Sequence, residues 1–592
     1  MSRLLLRIDR TVPQRFRGFR PRAAFVIGLL ALGGLVLAGR AYDLQVLQHE
    51  RLKGIAQRQS QRTIAIKGRR GDIRDRDNLP LAVSVRGYSF FAHPARIAQP
   101  AQAAFRLAQA LGVDGESLEE KLRGGKGFAW IKRHATPREA AAVKALAIQG
   151  VGATQEYSRV YPGRLLSGPL LGFTGVDNQG LEGLEYAYDS FLKGAEGYQV
   201  VDHDALGRSL LNEPDHFPTG GGSLRLSLDS TIQHITQREV ARAVERYEAR
   251  QGIGVVLHAQ TGEILAMAHA PALNPNDYQR YDKETYFNRA VTSGYEPGST
   301  MKVLTAAVAL EEGLVKPDTL FYCEQGEWEH YDSVIHDTTP HGWLGLAGVI
   351  RVSSNICAAK MGLMLPAGVF REYLARFGLG SRLGLFTGPD GQRLAGEAEG
   401  YLLPQEKWTP VDHAAIAFGH GVLVSPLQMA NAINAIATGG LLLKPRLVLE
   451  VRDAHGEIVA QNYRQVMRRV VSGNTARTVT KLMRGVVESE GTGKNAAVPG
   501  HAVAGKTGTT EVYDIQARGY SKTKHIASFV GFVPADKPVL TILVQIEAPR
   551  TGRYGGVVAA PVFSRIAQEA LPLLGVWPAE GVRRMSVAKS AE

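Results

Sequence analysis

An ordered set of three short motifs limits most strongly what this chain can fold into. The motifs are Ser299-Thr300-Met301-Lys302, Ser353-Ser354-Asn355 and Lys506-Thr507-Gly508-Thr509. A serine with a lysine one helical turn later is a candidate nucleophile that has its own base. The order S-x-x-K, S-x-N, K-T-G is typical of serine enzymes that form acyl-enzymes. If the motifs serve one reaction, the fold has to bring three distant segments together.

The surroundings of Ser299 distinguish it from other matches to the first motif. The turn sequence Gly294-Tyr295-Glu296-Pro297-Gly298 precedes it, and an apolar stretch over 301–312 follows it and stops at Gly313. We therefore expect Ser299 at the start of a helix, with Lys302 on the same face. The alternative is an N-cap serine with a solvated lysine. Other motif matches include Ser190…Lys193 at a predicted helix end, Ser521…Lys524 in a predicted loop, and Ser472…Asn474.

The amino terminus predicts a membrane anchor. Residues 1–22 carry seven arginines and one aspartate, and an uncharged run of 17 residues, Ala23–Gly39, follows them. At about 1.5 Å per residue the run forms about 26 Å of helix, and Arg22 and Arg40 can extend it across a hydrocarbon core of about 30 Å. The arginines place that end in the cytoplasm. The alternative is a signal peptide cleaved at Val36-Leu37-Ala38.

Composition argues against several classes of site. The formal net charge is +13, but nearly half of the excess lies in the first 22 residues, so we expect no nucleic-acid binding. No C-x-x-C or H-E-x-x-H motif occurs, and we expect no metal and no cofactor. Cys323 and Cys357 lie in the part predicted to be exported, where one disulfide is permitted, and their pairing stays open. His420, alone in Gly419-His420-Gly421, is expected to pack or shape a loop rather than to catalyse.

Turn signals and hydrophobic patterns predict an α+β chain. The break at 218–223 marks a domain boundary. After it, hairpins at 254–267 and 526–546 place strands at both ends of the last domain, with helices between them, so its central sheet should be mainly antiparallel. The predicted organisation is a cytoplasmic basic segment 1–22, a transmembrane helix 23–42, a pedestal domain 43–218, a linker 219–223, a catalytic domain 224–576 and a tail 577–592.

With these motifs, the chain resembles the class B penicillin-binding proteins, most closely the division-specific FtsI type, over nearly its whole length. Residues 70–82 are similar to the family's R-G-x-x-x-D-R-x-G-x-x-L-A box, with Asn78 in place of a glycine. Asparagine tolerates the left-handed backbone next best, so we expect the turn to survive. Other similar segments are 158–162, 180–185, 418–421 and 559–563. The expected pedestal residues are Arg70, Gly71, Asp75, Arg76, Glu182 and Glu185. We expect the boxes to brace the domain through arginine–carboxylate pairs.

The resemblance implies an architecture, an activity and a location. It implies an elongated, dimerisation-type pedestal and a penicillin-binding transpeptidase domain, carried by one transmembrane helix and lying in the periplasm or another extracytoplasmic space. The implied enzyme attacks the D-Ala-D-Ala bond of a peptidoglycan stem peptide, releases D-alanine and passes the acyl group to an amine of a neighbouring strand during septal synthesis. Implied partners are stem peptides and nascent glycan, β-lactams, an FtsW-type glycosyltransferase and division regulators.

The resemblance also implies roles in forming the acyl-enzyme. Ser299 is the expected nucleophile and Lys302 its base. The ordinary pKa of a lysine is about 10.4, so burial and the nearby charge of Lys506 have to lower it. Ser353 would relay the proton to the leaving amine, and Asn355 would hydrogen-bond Lys302 and the substrate.

Substrate binding is expected on the third motif. Lys506, Thr507 and Thr509 would lie along an edge strand and hold the terminal carboxylate. Gly508 would let the substrate backbone approach closely. The backbone N–H groups of Ser299 and Thr509 would form the oxyanion hole.

Three alternatives stay open. A β-lactamase shares the motifs but would lack the anchor and the long pedestal. A non-enzymatic penicillin-binding scaffold or sensor would keep the groove without turnover, so cross-link formation is the assay that separates it from an enzyme. An elongation-type class B transpeptidase is the nearest competitor, although residues 353–357 and the compact pedestal favour the division type.

Overall fold

The computed structural model of the chain describes residues 19–124, 127–203, 209–210, 218–385, 396–514 and 519–578. Most of the predicted basic segment 1–22 and nearly all of the predicted tail 577–592 lie outside these residues. The chain divides into two compact units. One is formed by Met1–Ile66 with Glu196–Pro218, and the other by Lys67–Ala195 with Thr219–Glu592.

The first unit contains the long apolar helix that the sequence predicts. The helix Phe19–Tyr42 continues into a π-helical turn, Asp43–Leu47, and the helix His49–Ser60 follows. Among the described residues, one helical segment, Pro21–Leu47, is long and apolar enough to cross a membrane, and none of it is buried within the protein. A three-stranded antiparallel sheet completes this unit, formed by Gln61–Ile66, Gly197–His203 and Ser209–Leu210.

A seven-stranded sheet in the second unit crosses the domain boundary expected near residue 218. Ile73–Arg74, from the predicted pedestal, pairs in parallel with Ser223–Leu226, which begins the predicted catalytic part. The other strands of this sheet are Pro80–Ala92, Ala129–Ala135, Val151–Val160, Val448–Arg452 and Ile458–Gln461. The helices Pro100–Leu111, Gly115–Arg123 and Pro137–Leu146 contribute buried side chains to a small core with its outer strands. Backbone hydrogen bonds therefore join the pedestal to the catalytic part.

A buried ionic cluster braces the pedestal. Arg70 Nε lies 2.5 Å from Glu185 Oε2, and Arg159 Nε lies 2.7 Å from Glu185 Oε1. A second nitrogen of Arg70 lies 2.6 Å from Asp189 Oδ1. Burial acts to raise the pKa of Glu185, but the two guanidinium groups outweigh it and hold that pKa below its usual range. The carboxylate therefore stays charged and ties together three distant segments of the chain.

Close backbone packing explains other pedestal residues. A Cβ at Gly71 would lie 1.6 Å from the carbonyl oxygen of Gly222, so no side chain fits there. Asp75 accepts hydrogen bonds from the backbone N–H groups of residues 77 and 79 and from the Ser230 hydroxyl. Asn78 has a φ of 65°, which confirms the left-handed turn expected for it.

Of the two remaining predicted pedestal residues, Arg76 forms an ion pair and Glu182 does not take part in an arginine–carboxylate pair that the structure identifies. Arg76 Nη2 lies 3.5 Å from Glu263 Oε2, an ion pair between the pedestal box and the catalytic part. Burial raises the pKa of Glu182, which directly precedes the helix Gly183–Ala187. Arg70, Arg76 and Glu185 therefore take part in arginine–carboxylate pairs, whereas Glu182 is a partly desolvated acid.

The catalytic part contains a five-stranded, fully antiparallel sheet, as the sequence predicts. In spatial order its strands are Ile264–Ala270, Gln251–His258, Leu540–Glu547, Gly519–Val533 and Ala504–Asp514. The helices Ser230–Arg246 and Ala560–Leu573 supply one hydrophobic core. The helices Met301–Glu311 and Pro426–Ala437 supply another, larger one. The prediction of an α+β domain with helices flanking a central sheet is confirmed.

The prediction of a loop around Ser521 is wrong. Residues 519–524 form the start of the long strand Gly519–Val533, which pairs with Ala504–Asp514. Strand pairing on both sides of residues 521–524, at Gly519 and Tyr520 and again from His525, keeps this polar stretch in the strand, and a local sequence pattern does not reveal such pairing.

Smaller elements connect these layers. The remaining α-helices in the described parts of the chain are Gly168–Leu171, Gly183–Ala187, Asp189–Leu192, Arg289–Thr292, Leu346–Val352, Asn355–Leu363, Ala367–Arg376, Pro410–Ala417, Gly473–Val487 and Gly555–Val558. Two-stranded ladders pair Leu320–Tyr322 with Trp343–Gly345, Glu327–His330 with Ser333–His336, Tyr401–Leu402 with Val422–Leu423, and Leu441–Leu443 with Val466–Arg469.

Candidate active site

Ser299 lies where a tight turn becomes a helix. The 3₁₀ turn Gly298–Thr300 leads directly into the helix Met301–Glu311. Gly298 has a φ of 54°, and a Cβ there would lie 2.3 Å from Thr510 Oγ1, so this position requires glycine. Ser299 is half-buried and lines a cavity of about 680 Å³. The expected helix-start position is confirmed.

Lys302, one helical turn after Ser299, is fully buried. Its Nζ donates hydrogen bonds to the backbone oxygen of Ser353 at 2.6 Å and to Asn355 Oδ1 at 2.6 Å, and lies 3.3 Å from Ser353 Oγ. Burial lowers the pKa of Lys302, and the negative charge of Asp337 opposes this effect in part. The resulting pKa is about 7. A substantial fraction of this amine is therefore neutral near pH 7 and can accept a proton.

Lys506 approaches Ser353 from the other side. Its Nζ donates to Ser353 Oγ at 2.8 Å and to the backbone oxygen of Thr507 at 3.1 Å. Burial, and then the charge of Lys302, lower the pKa of Lys506 well below the usual value of a lysine. The sequence led us to expect Lys506 as a cause of the lowered Lys302 pKa, but burial is the cause that the structure identifies for Lys302.

Ser353 lies between the two lysines and has an unusual backbone conformation. It ends the helix Leu346–Val352 with a φ of 69°, in the left-handed region that serine rarely adopts. Such conformations cluster at functional sites and are held in place by their surroundings. Here the surroundings include both lysine amines, which contact the Ser353 hydroxyl.

Asp337 is a site residue that sequence reasoning missed. Its carboxylate accepts hydrogen bonds from Ser354 Oγ at 2.5 Å, from the backbone N–H of Asn355 at 2.5 Å and from that of Ile356 at 3.1 Å. It therefore caps the helix Asn355–Leu363 at the second motif. Asp337 lies in the chain between two motifs and belongs to neither, so no local signal singles it out.

The two cysteines form a disulfide next to the second motif. Cys323 and Cys357 are both buried, and their Cα atoms are 5.2 Å apart. Cys357 lies in the first turn of the helix Asn355–Leu363, and Cys323 begins the segment that leads to Asp337. The pairing that the sequence left open thus ties Asp337 to the helix it caps.

The third motif lies on the edge strand Ala504–Asp514. Thr507 Oγ1 lies 3.0 Å from Thr492 Oγ1, and Thr509 Oγ1 accepts a hydrogen bond from the backbone N–H of Gly555 at 3.1 Å. A Cβ at Gly508 would lie 2.3 Å from Ser528 Oγ, so internal packing excludes a side chain there. Close approach of a substrate at Gly508 stays a prediction.

The cavity brings the three motifs together. Its wall includes Ser299, Ser353, Asn355, Thr507 and Thr509, while Lys302 and Lys506 lie fully buried behind them. The backbone N–H groups expected to form the oxyanion hole belong to Ser299 and Thr509, which both lie on this wall. Wall residues that the three motifs did not indicate include His420, Thr492, Glu511, Arg553, Tyr554 and Gly555.

Family comparisons agree with this arrangement. Residues 252–568 match the penicillin-binding protein transpeptidase domain, and residues 65–226 match the penicillin-binding protein dimerisation domain. The chain belongs to the class B penicillin-binding proteins. This penicillin-binding protein is a serine-type peptidoglycan D,D-transpeptidase.

Individual relatives cover nearly the whole chain. It is 35% identical to the probable peptidoglycan D,D-transpeptidase PenA of Neisseria gonorrhoeae, over 96% of this chain and 95% of that protein. It is 32% identical to the peptidoglycan D,D-transpeptidase FtsI of Escherichia coli, over 94% and 92% respectively. The crystal structure of penicillin-binding protein 3 of Mycobacterium tuberculosis in complex with aztreonam superposes with a TM-score of 0.68 at 26% identity, covering 88% of this chain and 99% of that one.

Proposed function

We propose that this penicillin-binding protein cross-links stem peptides during septal peptidoglycan synthesis, through an acyl-enzyme on Ser299. The observation that carries the proposal is the hydrogen-bonded path from Lys302 through Ser353 to Lys506 in the wall of the cavity that Ser299 lines. This path supplies the proton acceptor and the proton relay that an unactivated serine hydroxyl requires.

During acylation Lys302 first accepts a proton from Ser299 and then gives it up through Ser353. Ser299 Oγ attacks the carbonyl carbon of the penultimate D-alanine, and its proton passes to the neutral amine of Lys302. The backbone N–H groups of Ser299 and Thr509 stabilise the oxyanion, and each such donor contributes about 10²–10³ in rate. The C–N bond then breaks, and the proton passes through Ser353 to the leaving D-alanine amine. Lys302 is neutral again at the end, ready for the second half of the reaction.

The terminal carboxylate of the substrate binds along the edge strand. Lys506, Thr507 and Thr509 provide an amine and two hydroxyls on or just behind the same wall. Burial and the charge of Lys302 disfavour a charged Lys506. A bound carboxylate provides the opposite charge and therefore favours the protonated amine, so substrate binding and protonation of Lys506 reinforce each other. Asn355 holds Lys302 in position and hydrogen-bonds the substrate.

The septal role rests on likeness rather than on the site. The relatives include proteins named FtsI, and the segment 353–357 and the compact pedestal favour the division type. We place the N-terminus in the cytoplasm, the helix Phe19–Tyr42 in the inner membrane and the catalytic part in the periplasm. In this setting an FtsW-type glycosyltransferase supplies nascent glycan, division regulators control the activity, and β-lactams acylate the enzyme in place of the stem peptide.

Replacement Ser299→Ala tests the chemistry. We expect it to abolish covalent uptake of labelled penicillin, because alanine lacks the hydroxyl that forms the acyl-enzyme. Ser521→Ala is the matched control, since Ser521 also begins an S-x-x-K sequence but is not part of the cavity wall. Labelling of the Ser299→Ala variant at the native rate would contradict the assignment.

Depletion in the host tests the septal role. If the protein acts at the septum, cells that lose it grow as filaments, because elongation continues without division. Microscopy after depletion measures this directly, and complementation with the Ser299→Ala gene shows whether the effect depends on catalysis. Rounded cells would instead support the elongation-type alternative.

A further inference from the structure

His420 is held tightly against the turn that carries Ser299. The backbone N–H of Gly298 donates to the carbonyl oxygen of Gly419 at 3.1 Å, and a Cβ at Gly419 would lie 2.2 Å from the Gly298 oxygen. Gly419 has a φ of 90°, a conformation that glycine adopts without strain. The following residue, His420, consequently forms part of the wall of the same 680 Å³ cavity as Ser299. Its position is that of a site residue rather than of a packing residue.

A half-buried carboxylate lies beside the imidazole. Glu296, three residues before Ser299, accepts hydrogen bonds through Oε1 from the backbone N–H of Gly421 at 2.8 Å and from the Tyr520 hydroxyl at 3.0 Å. Its other oxygen, Oε2, is buried, has no hydrogen-bond partner within the described parts of the chain, and lies 3.8 Å from His420 Nδ1. The carboxylate therefore favours a proton on Nδ1, which leaves Nε2 unprotonated and able to accept one.

Burial holds the pKa of His420 below its usual value and so favours a neutral imidazole near pH 7. Burial lowers the pKa of His420 most, and the Lys302 amine on the neighbouring helix lowers it further. The carboxylates of Glu296 in the turn and Glu511 on the edge strand act in the opposite direction. The Tyr520 ring, from the adjacent strand, packs 5.5 Å from the imidazole. A neutral imidazole supported by a carboxylate is suited to act as a base.

We propose that His420 is the acceptor-side base, which takes the proton that the acceptor ammonium has to lose before it attacks the acyl-enzyme. This inference rests on the proposed function, because it concerns the second half of the same reaction. An amine of the lysine type has an ordinary pKa of about 10.4, so only about one molecule in 10³ is neutral at pH 7. A base beside the acyl-enzyme lets the abundant ammonium form serve as the acceptor.

The step balances with one proton released. The acceptor ammonium gives its first proton to His420 Nε2 and becomes a neutral amine. The amine nitrogen attacks the carbonyl carbon of the acyl-enzyme, the N–C bond forms and the bond from carbon to Ser299 Oγ breaks. The second proton passes from nitrogen through Lys302 to Ser299 Oγ, and His420 releases the first proton to solvent.

The test compares two acceptors in His420→Gln. Glutamine retains a hydrogen-bonding side chain but takes no proton. The full-length protein is acylated with a stem-peptide thioester, and transfer is measured to a lysine-type amine, with a pKa of about 10.4, and to a peptide α-amine, with a pKa of about 8. We expect transfer to the lysine-type amine to fall about 10²-fold, the usual contribution of a general base, and transfer to the α-amine to fall several-fold less.

A pH profile separates a lost base from a distorted site. Dividing the variant rate by the native rate cancels the protonation of Lys302, which both proteins share. For the lysine-type amine this quotient should rise about tenfold per pH unit between about pH 7 and pH 9, because the variant depends on neutral amine from solution. An equal loss for both acceptors, with a quotient that does not change with pH, would overturn the proposal.

A second variant keeps the proposal testable if His420→Gln does not fold. Glu296→Gln removes the orienting carboxylate and should give the same preference for the α-amine, with a fall of about tenfold for the lysine-type amine. No change in the ratio of the two acceptors would overturn the inference. Penicillin acylation of the native protein is measured in parallel, because its absence would contradict the proposed function itself rather than the role of His420.

Discussion

At the scale of single residues, activity depends on a lysine that is kept partly uncharged. Lys302 is fully buried, and burial brings its pKa to about 7. An amine with a lowered pKa is the active base above that pKa and is lost as a base when the pH falls below it. Acylation should therefore decline below about pH 7. Asp337 opposes the effect of burial, since its negative charge favours the protonated lysine.

Replacement Asp337→Asn should move the acid limb of the acylation profile to lower pH. Loss of the carboxylate charge lets burial lower the Lys302 pKa further, so Lys302 stays neutral in more acidic solution. The maximal rate should fall about tenfold, because asparagine has one carbonyl oxygen to cap the helix where the carboxylate has two. The measurement is the second-order rate of penicillin acylation as a function of pH.

A matched control for this change is Asp453→Asn. Asp453 also accepts backbone hydrogen bonds, in an exposed turn at residues 453–457, and is not part of the cavity wall. Its replacement should leave the acid limb at the native pH. An acid limb in Asp337→Asn that coincides with that of the native protein would show that the carboxylate does not control the protonation of Lys302.

At the scale of elements, the helix Asn355–Leu363 is held at its first turn by its N-cap Ser354 and by two further contacts. Asp337 caps it, and the disulfide from Cys357 to Cys323 attaches it to the segment in which Asp337 lies. Both act on the turn that presents the second motif to Lys302. A loosened first turn should therefore affect stability and the site together.

The double replacement Cys323→Ala with Cys357→Ala should lower the free energy of unfolding by about 2–4 kcal/mol, the usual effect of removing one disulfide. Denaturant unfolding with and without a reductant measures it. The native protein with reductant should behave like the variant, and the reductant should leave the variant unchanged. A native protein whose midpoint does not respond to reduction of the bond would contradict this stabilising role.

At the scale of the whole molecule, strand pairing joins the pedestal to the catalytic part, and a buried ionic cluster holds distant segments of the pedestal together. The strand Ile73–Arg74 pairs with Ser223–Leu226, and Arg70, just before it, enters the cluster around Glu185. Breaking a buried ion pair by removing one partner leaves a charge without compensation, which is far more costly than the loss of an exposed pair. Pedestal charges should therefore govern stability rather than catalysis.

Replacement Arg70→Met should cost about 3–5 kcal/mol of stability, because Asp189 and one oxygen of Glu185 lose their guanidinium partner. Arg123→Met is the control, since Arg123 pairs with Glu119 on an exposed helix face and should cost less than about 1 kcal/mol. Thermal unfolding measures both. Penicillin acylation per folded molecule should stay within about twofold of native in both variants, and a large fall in Arg70→Met alone would place the cluster in the catalytic pathway.

Patterns local in the chain were sufficient to predict a large part of this protein. The turn before Ser299 and the apolar run after it predicted the helix start, apolar runs on either side of turn sequences predicted the sheet hairpins, and the run Ala23–Gly39 predicted the apolar helix. These features depend on residues that are neighbours in sequence, since helix and strand periodicity and turn chemistry act over a few residues. The motif set was sufficient to predict the acyl-transfer chemistry of the family.

Only the tertiary structure decided what surrounds those motifs. Asp337 approaches the second motif from a segment that carries no motif, and the contact between Glu296 and His420 joins two segments far apart in the chain. The polar stretch after residue 519 belongs to a strand that pairs with another segment on both sides of it. The pairing of Cys323 with Cys357 and the burial of Lys302 likewise depend on contacts between distant parts of the chain. The reason is that desolvation and charge act through space, so the protonation of Lys302 is set by the fold and not by its neighbours in sequence.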